Sequence, residues 1–161
     1  MNSVVTLALM TAFTGCYLEQ PFEGPGYSLG DGLTTDAAGP FVVSTTSLVL
    51  ADGDEAKQAF DGHMAVLSEQ IKTQPGLVGF SLALPIGSEG YRTLSVWESE
   101  DAVLEWVVSD AHAAAMDDMA DKSKPESAVM SWSMTREELE EGPPSWEDAR
   151  ARLDADGRTV Y

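Results

Sequence analysis

The sequence has little positive charge, one cysteine and no long apolar run. Its 161 residues include nine Lys and Arg against 27 Asp and Glu, a formal net charge of −18. This deficit argues against binding nucleic acid or docking on anionic lipid by charge, because both need basic residues. One cysteine excludes an internal disulfide. No stretch reaches the ~20 apolar residues of a transmembrane helix. The 43% of hydrophobic residues predicts one globular domain with tails.

The first 16 residues, MNSVVTLALMTAFTGC, carry no ionisable side chain except the thiol of Cys16. Their apolar run has the length of a signal-peptide hydrophobic region. It ends in Phe13-Thr14-Gly15-Cys16, which resembles a bacterial lipobox, although Phe replaces Leu and no basic residue precedes the run. We therefore predict a lipoprotein signal over 1–16, lipidation at Cys16, and a protein anchored in the bacterial cell envelope by lipid alone. The alternative is a disordered or helical N-terminus with a buried free cysteine.

Two segments flank the predicted domain. Residues 17–39 hold two prolines, five glycines and four acids but no base, which predicts a flexible tether; irregular coil packed along the domain is the alternative. Residues 136–161 form an acidic C-terminal segment. In it Trp146, Ala149 and Leu153 share one helical face, so we expect a short helix that docks on the domain or on a partner subunit, rather than a loose tail.

Residues 40–135 are predicted to form the folded domain. Apolar residues four, three and four apart place Phe60, Met64, Leu67 and Ile71 on one helix face. Strand patterns alternate with helix patterns in the order β-α-β-β-α-β, which predicts a ferredoxin-like α+β fold with one antiparallel sheet. The predicted strands are 41–50, 77–84, 91–98 and 127–134, and the predicted helices are 54–73, 100–108 and 111–121.

In the third predicted strand, alternate residues point to opposite faces of the sheet. One face receives Tyr91, Thr93, Ser95 and Trp97, and the other receives residues 92, 94, 96 and 98. Helices cover only one face of such a sheet. A second copy of the chain is the simplest cover for the other, so the pattern predicts a homodimer.

The stretch 91–116, YRTLSVWESEDAVLEWVVSDAHAAAM, resembles the dimeric α+β barrel superfamily, which includes antibiotic biosynthesis monooxygenases and heme-degrading monooxygenases. The resemblance is carried by Trp97-Glu98-Ser99 at a strand end, Trp106 in the next helix, and Ser109-Asp110-Ala111-His112. Residues 75–80 are similar to the group's entry into the second strand, and 144–153 to a tail found in one branch. The resemblance spans about 41–155 and implies fold more strongly than reaction.

The resemblance implies two kinds of site. Heme-degrading members use a strand Trp, a first-strand Asn and a helix His; Trp97 matches, but Met116 stands where the His would be, and residues 44–47 include no Asn. Heme degradation is therefore disfavoured, and a heme site using His112 is the weakest hypothesis. Cofactor-independent members bind a polycyclic phenol among polar side chains. For that pocket we expect His112, Trp97, Tyr91 and Arg92 as catalytic candidates.

Other residue patterns favour no cofactor and no metal. His63 has no second ligand that the pattern places beside it. The methionines are scattered, which is typical of core gap-fillers. His112 and the tryptophans are also compatible with packing roles alone. The leading expectation is therefore a monooxygenase-like domain that binds or oxidises a small aromatic molecule, and the alternative is a non-catalytic surface binding or dimerisation module.

Overall fold

The computed structural model describes residues 17–87 and 90–160. The predicted signal peptide and Cys16 lie outside these residues. Within them, no helix combines the length and the apolar character needed to cross a membrane. The strands are β1 (Tyr17–Glu19), β2 (Tyr27–Ser28), β3 (Gly32–Leu33), β4 (Phe41–Leu48), β5 (Leu77–Pro85), β6 (Tyr91–Trp97), β7 (Ala128–Met134) and β8 (Arg158–Thr159). The helices are α1 (Asp54–Gln70), followed by a 3₁₀ turn at Ile71–Thr73, α2 (Glu100–Val107), α3 (Asp110–Met119), α4 (Arg136–Glu141) and α5 (Trp146–Asp156).

The main sheet has six strands in the order β1-β5-β6-β4-β7-β8. Every pair of neighbours is antiparallel. Its four central strands have the order of the ferredoxin-like fold, which confirms the predicted fold class. The predicted strand limits differ from the observed ones by at most two residues. β1 and β8 extend the two edges of the sheet and were not predicted.

Helices α1, α2 and α3 lie over one face of the sheet. Phe60 is buried on α1 as the spacing predicts. Ser99 caps α2, since its hydroxyl accepts a hydrogen bond from the backbone N–H of Ala102 at 3.2 Å. The helices pack mainly through Leu77, Trp97 and Trp106. This layer positions the candidate site.

The opposite face of the sheet is covered by the chain itself. Phe41, Val43 and Val96 on this face have no exposed surface. They form one core with residues contributed from outside the four central strands, namely Phe22, Tyr27, Leu139, Trp146 and Ala149. The expected second copy is therefore not needed here, because the reason for predicting it, an uncovered apolar face, is absent.

The segment predicted as a flexible tether packs on this face instead. Phe22 and Tyr27 are buried and meet edge to face, with ring centroids 5.3 Å apart. The backbone crosses β5 so closely that a Cβ on Gly24 would lie 2.4 Å from the Cα of Gly79. Aromatic burial and paired glycines thus fix a segment whose composition resembles a linker.

The C-terminal segment holds the N-terminal segment on the sheet through hydrogen bonds. The indole N–H of Trp146 donates to Ser81 Oγ at 3.1 Å, and that hydroxyl donates to the Gln20 carbonyl at 2.6 Å. Arg136 of α4 donates to the carbonyls of Thr35 and Ala37 at 3.1 and 2.7 Å. The docked helix carrying Trp146 is as predicted, but α4 was interpreted only as acidic surface. Its Leu139 is fully buried.

Candidate functional site

A cavity of about 340 Å³ lies between the sheet and helices α1 to α3. This volume falls at the low end of small-molecule sites, roughly 300–1,000 Å³. Thr93, Ser95 and Trp97, which were predicted to share one face of their strand, line it together with His112. Apolar side chains from the three helices complete most of the wall, chiefly Met64, Leu67, Ile71, Val103, Trp106, Val107 and Met116.

Three rings form one side of the cavity. The ring centroids of Trp97 and Trp106 are 6.3 Å apart, with their planes inclined by 29°. Those of Trp106 and His112 are 5.3 Å apart and tilted. Both tryptophans are buried and pack in the core beneath the helices, and both are among the residues that border the cavity. Such a wall suits a flat aromatic ligand.

His112 is held by its own backbone neighbourhood. Its Nδ1 lies 3.2 Å from the Val107 carbonyl oxygen, so Nδ1 carries the proton and donates. Nε2 is then the unprotonated nitrogen of the neutral ring. Burial lowers the pKa of His112, and the hydrogen bond to Val107 opposes this shift. The cavity therefore contains a neutral imidazole that can accept a proton near pH 7.

Serine and threonine hydroxyl groups of the sheet form the floor of the cavity. Cross-strand pairing aligns Ser95 with Ser44 and Thr93 with Thr46 on the same face. The hydroxyls of Thr46 and Thr93 are 2.6 Å apart, and Ser95 Oγ accepts the indole N–H of Trp97 at 2.8 Å. These bonds fix the rotamers of the floor and of the Trp97 ring. They leave an apolar cavity with a few placed polar groups.

A second lobe of about 150 Å³ adjoins the first and shares Met64, Thr93, His112 and Met116 with it. Tyr91 lines this lobe, with its ring 4.1 Å from that of Phe60. His63 lies at its edge and pairs with Asp118, Nε2 to Oδ2, at 2.8 Å. Of the four predicted site residues, His112 lines both lobes, Trp97 lines the main lobe and Tyr91 lines the second.

Arg92 is placed differently from the other candidates. Its guanidinium carbon lies 4.3 Å from the centroid of the Tyr17 ring. Tyr17 belongs to β1 and packs on the core of the opposite face. Arg92 borders the second lobe only from its strand position. Its side chain therefore does not join His112 and Trp97, as the alternation along β6 already implied.

Met116, which the sequence resemblance aligns with the ligand histidine of heme-degrading members, lines both lobes. Among the residues the structure describes, no group of three His, Cys, Asp or Glu side chains is arranged to hold a metal ion. Residues that sequence reasoning did not select are Ser44 and Thr46, whose alternation with Val43 and Thr45 was the available signal.

Sheet order, helix placement and cavity define a ferredoxin-like α+β domain of the type found in antibiotic biosynthesis monooxygenases. Residues 53–118 match the family model described as antibiotic biosynthesis monooxygenase. This match confirms the resemblance seen in the sequence. It covers α1, β5, β6, α2 and most of α3, the elements that build most of the cavity.

Solved structures show the same fold. Rv0793 from Mycobacterium tuberculosis matches with a TM-score of 0.51 and 12% identity, over 57% of this chain and 92% of that protein. A candidate antibiotic biosynthesis monooxygenase from Nitrosomonas europaea gives 0.52 and 13%, over 60% and 91%. A similar candidate from Caulobacter crescentus gives 0.52 and 16%, over 62% and 94%. At these identities the likeness establishes the fold alone. No curated protein matches the chain in sequence.

Proposed function

We propose that the chain binds a small phenolic aromatic molecule in the cavity and oxidises it with O₂, without a cofactor. The observation that supports this most is a neutral His112 imidazole set beside an aromatic wall and a hydroxyl floor, within one cavity of about 340 Å³. The match to the antibiotic biosynthesis monooxygenase family supports the reaction class.

Each part of the cavity has its own role in the proposed reaction. Trp106, supported by the buried Trp97, packs against the ring system, and the floor hydroxyls orient its polar substituents. Nε2 of His112 accepts the phenolic proton. The electron-rich phenolate then supplies the electrons that reduce O₂. One oxygen atom bonds to the ring carbon para to the original hydroxyl, the other leaves as water with the two displaced hydrogens, and the ring becomes a quinone.

The test uses 1-naphthol, whose product would be 1,4-naphthoquinone. Binding is followed by quenching of tryptophan fluorescence, and turnover by O₂ uptake and quinone absorbance. His112→Gln is expected to keep binding and to lose the rate by at least about 100-fold, the usual contribution of a general base. His63→Gln, the change at the other histidine, is the matched control. Equal rates in wild type and His112→Gln would reject the assigned base.

A non-catalytic binding module is the second candidate. The observation that favours it is that the cavity wall is mainly apolar, and that among the described residues lining the main lobe only His112 is titratable. This function predicts saturable quenching by 1-naphthol with no O₂ uptake in the wild type.

We also propose a lipid anchor at Cys16 and a homodimer. Lipidation at Cys16 would place the acyl chains next to β1, which begins at Tyr17 and pairs with β5. The domain would then be held against the envelope membrane without a long tether; palmitate labelling of wild type and Cys16→Ser decides this.

A homodimer would have to use a surface other than the covered sheet face, and sedimentation of the full chain measures whether one forms.

A further inference from the structure

The nine basic side chains of this acidic protein are almost all engaged. Seven of them form ion pairs with Asp or Glu, and Arg92 lies over the Tyr17 ring. Arg158 is the exception. Among residues 17–87 and 90–160 no acid pairs with it, although Asp154 and Asp156 precede it closely in the chain. In a chain of net charge −18, an arginine without a carboxylate partner is unexpected.

Arg158 stands beside the main lobe of the cavity. It pairs with Val129 across the β7–β8 ladder, and directly opposite residues place their side chains on the same face. Val129 lines the cavity, and so does Val160, which alternation along β8 places on the same face as Arg158. Arg158 itself lies just outside the residues that line the cavity. The side chain of Arg158 is therefore the basic group on the cavity face of this edge of the sheet.

The same edge is where solvent reaches the cavity face. In β6 the helix-facing Ser95 and Trp97 are buried, whereas their counterparts two strands away, Ser131 and Ser133 of β7, are exposed. The helices thus cover β6 and leave the cavity side of β7 open. A ligand entering over β7 passes the exposed Arg158.

We infer that Arg158 binds the carboxylate of an aromatic acid whose ring system occupies the main lobe. This inference rests on the proposed cavity function and specifies its substrate class. Trp97 and Trp106 lie on the buried side of the lobe and Arg158 lies on the exposed edge strand β8, so an acid with its ring in the lobe and its carboxylate at that edge can contact both sides. A guanidinium offers paired donors that match a carboxylate. The long-range repulsion of an anion by the acidic surface is screened within about 8 Å at physiological salt, so the local contact decides.

The experiment compares 2-naphthoate with its neutral isostere 2-naphthamide by fluorescence titration of the full chain. We expect 2-naphthoate to bind about fivefold more tightly, the ratio of a partly exposed charge pair, and the preference to shrink with added salt. Arg158→Gln should remove the preference without changing the affinity for 2-naphthamide, and Arg158→Lys should keep part of it. Arg152→Gln, which removes an arginine paired with Asp148, is the matched control and should keep the preference.

The outcomes separate the inference from the proposed function. If both compounds bind equally, or if the preference for 2-naphthoate survives in Arg158→Gln, the role of Arg158 is rejected while the cavity function stands. If neither naphthoate, naphthamide nor 1-naphthol binds the wild type, the cavity function itself fails and the inference fails with it. Because Arg158 is exposed, its variants are expected to fold, and unchanged thermal unfolding verifies this.

Discussion

The two faces of the central sheet are built from the same strands and have opposite interiors. Along β4, Phe41 and Val43 face a core with no exposed surface at either residue. The alternate residues Ser44 and Thr46 face a cavity of about 340 Å³. The filled face, with Phe41 and Val43, is covered by segments from both ends of the chain, which pack against it without a gap. The face with Ser44 and Thr46 is covered by helices, and its small hydroxyl side chains leave a cavity beneath them.

This difference suggests that stability and ligand binding are divided between the faces. The filled face joins the N-terminal segment, β5 and α5 through Ser81 and Trp146. The solved neighbours are covered over nine-tenths of their length by about six-tenths of this chain, so this chain carries segments beyond those they match. A domain stabilised from the filled side can tolerate a hollow on the other.

The largest expected effect is at the filled face. Trp146→Ala removes a buried indole and its hydrogen bond to Ser81, and we expect it to lower the free energy of unfolding by about 3–5 kcal/mol. Urea unfolding measures this. Leu104→Ala, at a residue 58% exposed on α2, is the control and should change stability by less than about 0.5 kcal/mol. Similar losses for the two variants would break the proposed division.

A matched pair of enlargements compares the faces directly. Val96→Phe adds volume where the side chain has no exposed surface, and should cost about 1–3 kcal/mol through overpacking. Val107→Phe makes the same change at the cavity wall. It should leave stability within about 1 kcal/mol of wild type and weaken 1-naphthol binding. If Val107→Phe is as destabilising as Val96→Phe, the cavity is not free space.

The fold was predictable where the spacing of apolar side chains agrees with the residues that begin or end helices and strands. The spacing of Phe60 and Ile71, the Ser99 cap and the alternation along β6 each determine local structure. The packing of residues 17–39 was not predictable in this way. Glycine and proline there are compatible with a linker, and only the contact of Gly24 with Gly79 shows that they permit close approach instead.

The site was predictable in part for the same reason. Trp97 and His112 follow from resemblance, and Ser95 follows from strand alternation. The alternation along β6 places Arg92 on the sheet face opposite Trp97, which was a reason to exclude it. It was kept as a candidate because of the family resemblance. The position of Arg158 depends on β8, a two-residue strand whose pairing with β7 is a long-range event without a local signal.

A smaller effect tests how the two terminal segments hold each other on the filled face. Arg136→Gln removes the charged donor to the Thr35 and Ala37 carbonyls, and should cost about 1–2 kcal/mol. Amide hydrogen exchange should increase between residues 20 and 37 more than in α1. Arg152→Gln, which leaves those carbonyls satisfied, is the control. Uniform exchange changes across both regions would show that the segment is not held locally.

The smallest effect concerns the cavity face and the half-buried His112. Burial holds the pKa of His112 below the ordinary value near 6.5, so the unfolded chain binds its proton more readily than the folded chain. The contribution of neutral His112 to the free energy of unfolding is fully present above pH 6.5, and it is lost as the pH falls through the lowered pKa. His112→Gln should therefore lose less stability than wild type between neutral and mildly acidic pH, in parallel urea titrations. His63→Gln controls for the histidine paired with Asp118. Because a ligand that fills the cavity excludes water further, 1-naphthol should deepen the wild-type acid loss and leave that of His112→Gln unchanged.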